Sequence, residues 1–218
     1  MALLVSTKKK GAGTSPSIDT TGATLLVAVR SDAADAASIP DSKSNTWQKL
    51  NVFTGSFSSV MSIFYVENPT VGTGHTFDSD GVTPSICVAA FSGVVLSLPF
   101  DQQNGQNEGS SPRSTGSVTP TEHGELLIAA AGGFFAAGSI NLGFTLLESN
   151  NLQGGVNFGT GLAYLEQITA APINPAWTTT SGSSTAIATF KTGGSPPPPF
   201  DLVTYIPPDL RRWNPVAY

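Results

Sequence analysis

The sequence predicts an all-β protein: an antiparallel β-sandwich of jelly-roll type, built from an internal duplication and followed by an extended, proline-rich C-terminal arm. Three observations carry this reading. Helical periodicity is nearly absent, while short runs of β-branched and aromatic residues recur between clusters of Gly, Pro, Asn and Ser. The first half of the chain reads against the second as one unit written twice. The last 26 residues, Gly193 to Tyr218, differ in composition from everything before them.

Residues 1–14 read as an N-terminal segment, 15–192 as the sandwich and 193–218 as the arm. Strands are expected at "TLLVAVR" (Thr24 to Arg30), "NTWQKLN" (Asn45 to Asn51), "SVMSIFYVE" (Ser59 to Glu67), "GHTFD" (Gly74 to Asp78) and "SICVAAF" (Ser85 to Phe91). "DQQNGQNEGSSPRSTG" has no apolar anchor and reads as a polar loop. Beyond it the same kind of run resumes in "ELLIAAA", "FTLLES", "VNFGTGLAYLEQI" and "STAIATFK".

The two sets align as repeat halves at about 17–93 and 117–191. "SIDTTGATLLVAV" matches "SVTPTEHGELLIAA", and "SICVAAF" matches "STAIATF". Tyr65 and Tyr164 lie 99 positions apart, Glu67 and Glu166 lie 99, Phe77 and Trp177 lie 100, and Phe91 and Phe190 lie 99. A unit of four or five strands cannot bury its apolar face alone. Two copies packed face to face share one core, which predicts a single sandwich rather than two tandem domains.

The composition narrows the function classes. A net charge of −5 and a pI near 4.8 argue against a nucleic-acid-binding surface, for which a clustered basic patch is needed. Lys8, Lys9 and Lys10 are the one basic run. Only 11% of residues are charged, so the surface is hydroxyl- and amide-rich. The apolar run of "MALLVSTKKK" precedes its charges and is too short for a secretory signal, and no run approaches a membrane span. These features predict a soluble protein made in a cytoplasm, with no membrane partner.

Candidate chemistry is sparse. His75 and His123 are the two histidines from which a nucleophilic triad would have to draw, and turn capping explains both. Glu67 and Glu166 are repeat equivalents that would suit glycoside hydrolysis if they faced one another, though pseudo-symmetry alone accounts for the pair. "DSDG" at Asp78 to Gly81 has two carboxylates and a turn glycine but too few ligands for a calcium loop. Cys87, inside "SICVAAF", reads as a buried small hydrophobe. Trp47, Phe53, Phe57, Phe64, Tyr65, Phe134, Phe135 and Trp177 are expected in the core, except that Phe134 and Phe135 in "AAGGFFAAGS" would suit an exposed loop tip that inserts into a neighbour. No enzyme, cofactor or metal is expected.

"DTTGATLLV", "DSKSNTW", "YVENPTVGTGHTF", "AAFSG" and "DQQNG" resemble a β-sandwich domain that recurs in phage virion proteins and bacterial surface proteins. The likeness runs from about Ser15 to Lys191. Ser44 stands where that family more usually has glycine, which bears on turn geometry. The resemblance implies no catalytic residue; it implies a building block presented on a particle or cell surface.

The arm sharpens that expectation. Pro196 to Pro199 favour polyproline II, in which 26 residues at roughly 3 Å each reach on the order of 75 Å. Between the prolines stand large anchors, with Phe200, Tyr205, Arg211, Arg212, Trp213 and Tyr218 the expected partner-binding residues. The sequence thus predicts a structural accessory protein of a phage virion, a capsid decoration or cement subunit. Its arm would clamp the major capsid protein or neighbouring copies in a homo-oligomer. The alternative is a carbohydrate-binding adhesion module of a tail or fibre.

Overall fold

A computed structural model describes residues 1–136, 138–180 and 182–193. Among these residues thirteen strands follow one another: β1 (Leu3–Lys10), β2 (Leu25–Asp32), β3 (Gln48–Thr54), β4 (Val60–Glu67), β5 (Ser85–Ser92), β6 (Phe100–Gly109), β7 (Arg113–Ser114), β8 (Glu125–Gly133), β9 (Ser139–Ile140), β10 (Thr145–Asn150), β11 (Gly159–Gln167), β12 (Ala176–Thr178) and β13 (Ser183–Phe190). Among the described residues the helical content is one 3-10 turn at Ser56–Ser58. The protein is all-β, and its strand pairs are antiparallel.

Two five-stranded sheets carry the structure, in the orders β1-β5-β2-β4-β3 and β6-β13-β8-β11-β10, with a small third sheet β7-β12-β9. The two orders are the same order with each strand replaced by its repeat equivalent. Register agrees as well: Leu25 lies opposite Glu67 and Phe91, and Leu126 lies opposite Glu166 and Phe190. These are the residues that the two halves of the sequence align.

Alternation along each strand sorts side chains between two faces. Leu25, Val27, Val29, Met61, Ile63 and Phe91 from the first sheet share one cluster with Leu126, Ile128, Ala130, Leu162 and Phe190 from the second. The opposite faces are also buried. Leu26, Ala28, Phe64 and Val66 lie under Ile39, Trp47 and Phe77, while Leu127, Ala129 and Ala131 lie under Phe135, Phe144 and Trp177. Long connections therefore form an outer layer on each side, with the repeat equivalents Phe77 and Trp177 doing the same job. Burial on both faces is why the central strands read as continuous apolar runs rather than alternating ones.

The edges differ from expectation. Asp101 to Gly109, expected within a polar loop, belong to β6, and residues 3–10, expected outside the sheets, form β1. Polar strands are stable here because β6 satisfies the edge of β3 with side-chain amides: Gln103 Oε1 accepts from Asn51 N–H at 3.0 Å and Asn107 Oδ1 from Thr54 N–H at 3.0 Å. Gly105 sits between them because the Phe53 ring covers it, and a Cβ there would lie 2.2 Å from that ring. Across the other edge, Thr7 Oγ1 donates to Glu148 at 2.8 Å. "GHTFD" makes isolated bridges rather than a strand: His75 pairs with Ile18, Phe77 with Asp41 and Asp78 with Thr14.

The chain path gives the body two ends. β2 and β8 both begin at the end where Gly93 and Gly193 lie and both finish at the end where Ser59, Gly133 and Gly182 meet. Eight residues at about 3.3 Å each separate these ends by about 25 Å.

Candidate functional site

The expected partner-binding residues Phe200, Tyr205, Arg211, Arg212, Trp213 and Tyr218 lie outside the described residues. Their point of departure is well defined. Thr192 bridges Val94, Thr192 Oγ1 donates to Gly124 O at 2.8 Å, and Gly193 N–H donates to Gly93 O at 3.0 Å. Chain start and arm root share this end, since a Cβ on Gly93 would lie 2.1 Å from the Met1 carbonyl.

The repeat glutamates brace the same end. Glu166 Oε1 accepts from Ala2 N–H at 3.0 Å, and Glu67 Oε2 accepts from Leu98 N–H at 2.6 Å. Ala2 precedes β1 and Leu98 precedes β6, so each glutamate holds the segment leading into the edge strand of the opposite sheet. Both carboxylates are engaged with backbone, and the symmetric pairing follows from the duplication.

The most triad-like geometry joins Thr20, His75 and Asp41. His75 Nε2 lies 2.9 Å from Asp41 Oδ1, and His75 Nδ1 lies 3.0 Å from Thr20 Oγ1. Asp41 also accepts from Lys43 N–H at 2.8 Å, Asn45 N–H at 3.2 Å and Trp47 Nε1–H at 2.8 Å. A nucleophile must face a substrate, whereas Thr20 is fully buried and its hydroxyl meets the Gly72 backbone at 3.1 and 3.2 Å. The network ties three distant outer-layer segments together over Trp47 and Phe77. His123 is exposed and accepts at Nδ1 from Ala170 N–H at 3.1 Å, a turn-capping role.

At "DSDG" Arg30 Nη2 donates to the Asp80 backbone carbonyl at 2.7 Å and to Asp32 Oδ2 at 2.7 Å, so a buried guanidinium ties this turn to the end of β2. Among the described residues no group of three or more His, Cys, Asp or Glu side chains is arranged to hold a metal ion. Cys87 is fully buried, 3.2 Å from Thr160 Oγ1, and burial pushes its thiol up to about 12. Glu125 is buried beside Asp101. Loss of solvent raises its pKa, backbone and hydroxyl hydrogen bonds oppose the rise, and the neighbouring carboxylate adds to it.

The end opposite the arm root carries a feature the sequence reading missed. Phe57, expected in the core, is 79% exposed. Its ring stacks on Phe134 at 4.8 Å between centroids with 20° between planes, and Phe134 in turn lies 6.1 Å from buried Phe158. Phe135, expected beside Phe134 at a loop tip, is instead fully buried edge-on to Trp177 at 5.6 Å. The two adjacent phenylalanines follow the end of β8 and meet opposite fates. Phe57 and Ser58 both hold left-handed backbone, with φ of 56° and 59°, a conformation non-glycine residues rarely adopt.

A close-packed junction imposes that backbone. Ser56 N–H donates to Gly182 O at 2.9 Å and Gly55 N–H to Ser59 O at 2.8 Å. A Cβ on Gly55 would lie 2.5 Å from Ser59 Oγ, and one on Gly182 2.5 Å from Ser56 Oγ. Beside it lies an open cleft of about 430 Å3 lined by Ser56, Glu108, Gly109, Ser110 and Gly182, in which Ser56 Oγ donates to Glu108 Oε2 at 2.5 Å. The available sequence signal was "TGSFSSV", an aromatic in a turn-rich break between strands, a setting that favours exposure over core.

Comparison of the chain with family models, curated proteins and solved structures found no match.

Proposed function

We propose that this protein is a structural accessory subunit of a phage virion, most simply a capsid decoration or cement protein, whose body is a duplicated β-sandwich and whose C-terminal arm attaches it. The finer architecture we adopt keeps each repeat in its own sheet, where a jelly roll would pass successive strands from one sheet to the other. Residue resemblance to virion and surface modules supports the setting.

The observation that carries the reading is polarity. The arm root at Gly193 and the exposed Phe57 stand at opposite ends of a body braced on both faces. A subunit anchored through its arm would present the far end outward, and many copies repeated by symmetry would add modest contacts into a stiff coat. The work of such a subunit is association rather than catalysis.

The test compares full-length protein with a version ending at Gly194 for binding to particles stripped of this subunit. Truncation is expected to abolish attachment while the β-sheet circular dichroism is retained. Equal binding by the truncated protein refutes the arm as the clamp.

A further inference from the structure

We propose that Phe57 and the adjoining Glu108 cleft form a carbohydrate-binding platform for a neutral pyranose of a surface glycan. One face of the Phe57 ring rests on Phe134; the other is open to solvent. Stacking from behind and the locked backbone at Gly55 to Ser59 hold that open face in a single orientation, so docking a flat ligand costs little ordering. An exposed aromatic on left-handed backbone is the kind of local strain that clusters at binding sites.

The chemistry of the surroundings selects the ligand. A pyranose offers a face of C–H bonds, whose positive edge suits the negative π face, and a rim of hydroxyls that need partners. Ser56, the residue before Phe57, lines a cleft with Glu108 and Ser110 that supplies a carboxylate acceptor and two hydroxyls. The cleft is shallow and open, which suits a ligand laid across the surface rather than one enclosed in it. A cationic ligand fits less well. Aromatic recognition of cations uses a cage, here a single ring face is open, and the Arg113 guanidinium packs against Gly109 at the cleft wall. An apolar protein partner would want a wider patch than one ring.

This proposal does not depend on virion attachment, because the platform lies at the end away from the arm root. The experiment is saturation-transfer NMR on the full chain with cellohexaose, chitohexaose and β-1,4-galactohexaose as separate probes. At least one is expected to receive saturation from the phenylalanine ring protons. Binding should weaken at least tenfold in Phe57→Ala and severalfold in Glu108→Gln, and it should survive in Phe57→Trp. Because Phe57 is exposed, the variants are checked for unchanged melting before comparison. No transfer to any of the three probes, or equal binding by Phe57→Ala, overturns the proposal. Loss of particle attachment on arm truncation with intact sugar binding would leave both proposals standing, so each fails on its own measurement.

Discussion

Removing the Asp41 carboxylate should destabilise the protein far more than its position in a connecting loop suggests. Asp41 accepts hydrogen bonds from His75, Trp47, Lys43 and Asn45, and its side chain is wholly enclosed. In Asp41→Ala the two backbone donors lie near enough to the surface to find water, but Trp47 Nε1 and His75 Nε2 do not, since these residues are 6% and 0% exposed. Each buried donor left unpaired costs about 1–3 kcal/mol, giving a loss of roughly 2–6 kcal/mol. Asp41→Asn keeps one acceptor oxygen and should lose about half as much. His75→Phe keeps the stack on Phe77, 4.3 Å away, and removes one of the stranded donors. Adding it to Asp41→Ala should therefore cost less than the sum of the single changes. Urea unfolding at pH 7 and 25 °C, followed by tryptophan fluorescence, reads these differences. A loss below about 1 kcal/mol with unchanged m would refute the reasoning, since it would mean that the outer layer does not unfold with the sheets.

Ser58→Gly relieves left-handed backbone at an exposed position and should stabilise by about 0.5–1 kcal/mol after the larger entropy loss of glycine, measured by the same unfolding curves. Gly159→Ala would put a Cβ 2.0 Å from the Phe135 carbonyl oxygen and should cost about 1–3 kcal/mol, visible as a lowered melting temperature. Glu125 has a raised pKa in the folded state, so the folded protein binds more protons than the unfolded one between the ordinary carboxyl value and the raised one. Stability should therefore fall as pH climbs through that window, and Glu125→Gln should flatten the fall in a melting series from pH 4 to pH 8. An unchanged slope in the variant would assign the dependence to other groups.

Much of the fold was legible because the central strands are buried on both faces. "LLVAV", "ICVAAF" and "LLIAA" are apolar without interruption, "SIFYV" and "TAIATF" are broken only by small hydroxyl residues, and the paired spacing of Tyr65, Glu67 and Phe91 with their partners corresponds to the observed register. Edge strands were harder to read. β1 ends in three lysines and β6 runs through Gln102, Gln103, Asn104, Gln106 and Asn107, because an edge strand with solvent or amide partners has no need of apolar residues. The Thr20, Asp41 and His75 network was invisible for another reason: its members come from three connections, and nothing local marks them as neighbours. Phe57 was assigned to the core by residue type. Its neighbours Gly55, Ser56, Ser58 and Ser59 speak instead for a turn, and the glycine contacts that hold its ring outward come from residues 133 and 182, distant in sequence.

The brace at Glu67 and Glu166 has a consequence for chain connectivity. Each glutamate grips the lead-in to the other sheet, and Met1, Gly93 and Gly193 crowd into the same corner. The path through the body is therefore close to a closed ring, in which the join between the halves at residues 94–99 occupies a place equivalent to the gap between 193 and 1. Linking 193 to 1 with a few residues and opening the chain at Leu96, an exposed position in that join, should yield a circular permutant with the same two sheets in exchanged order along the chain.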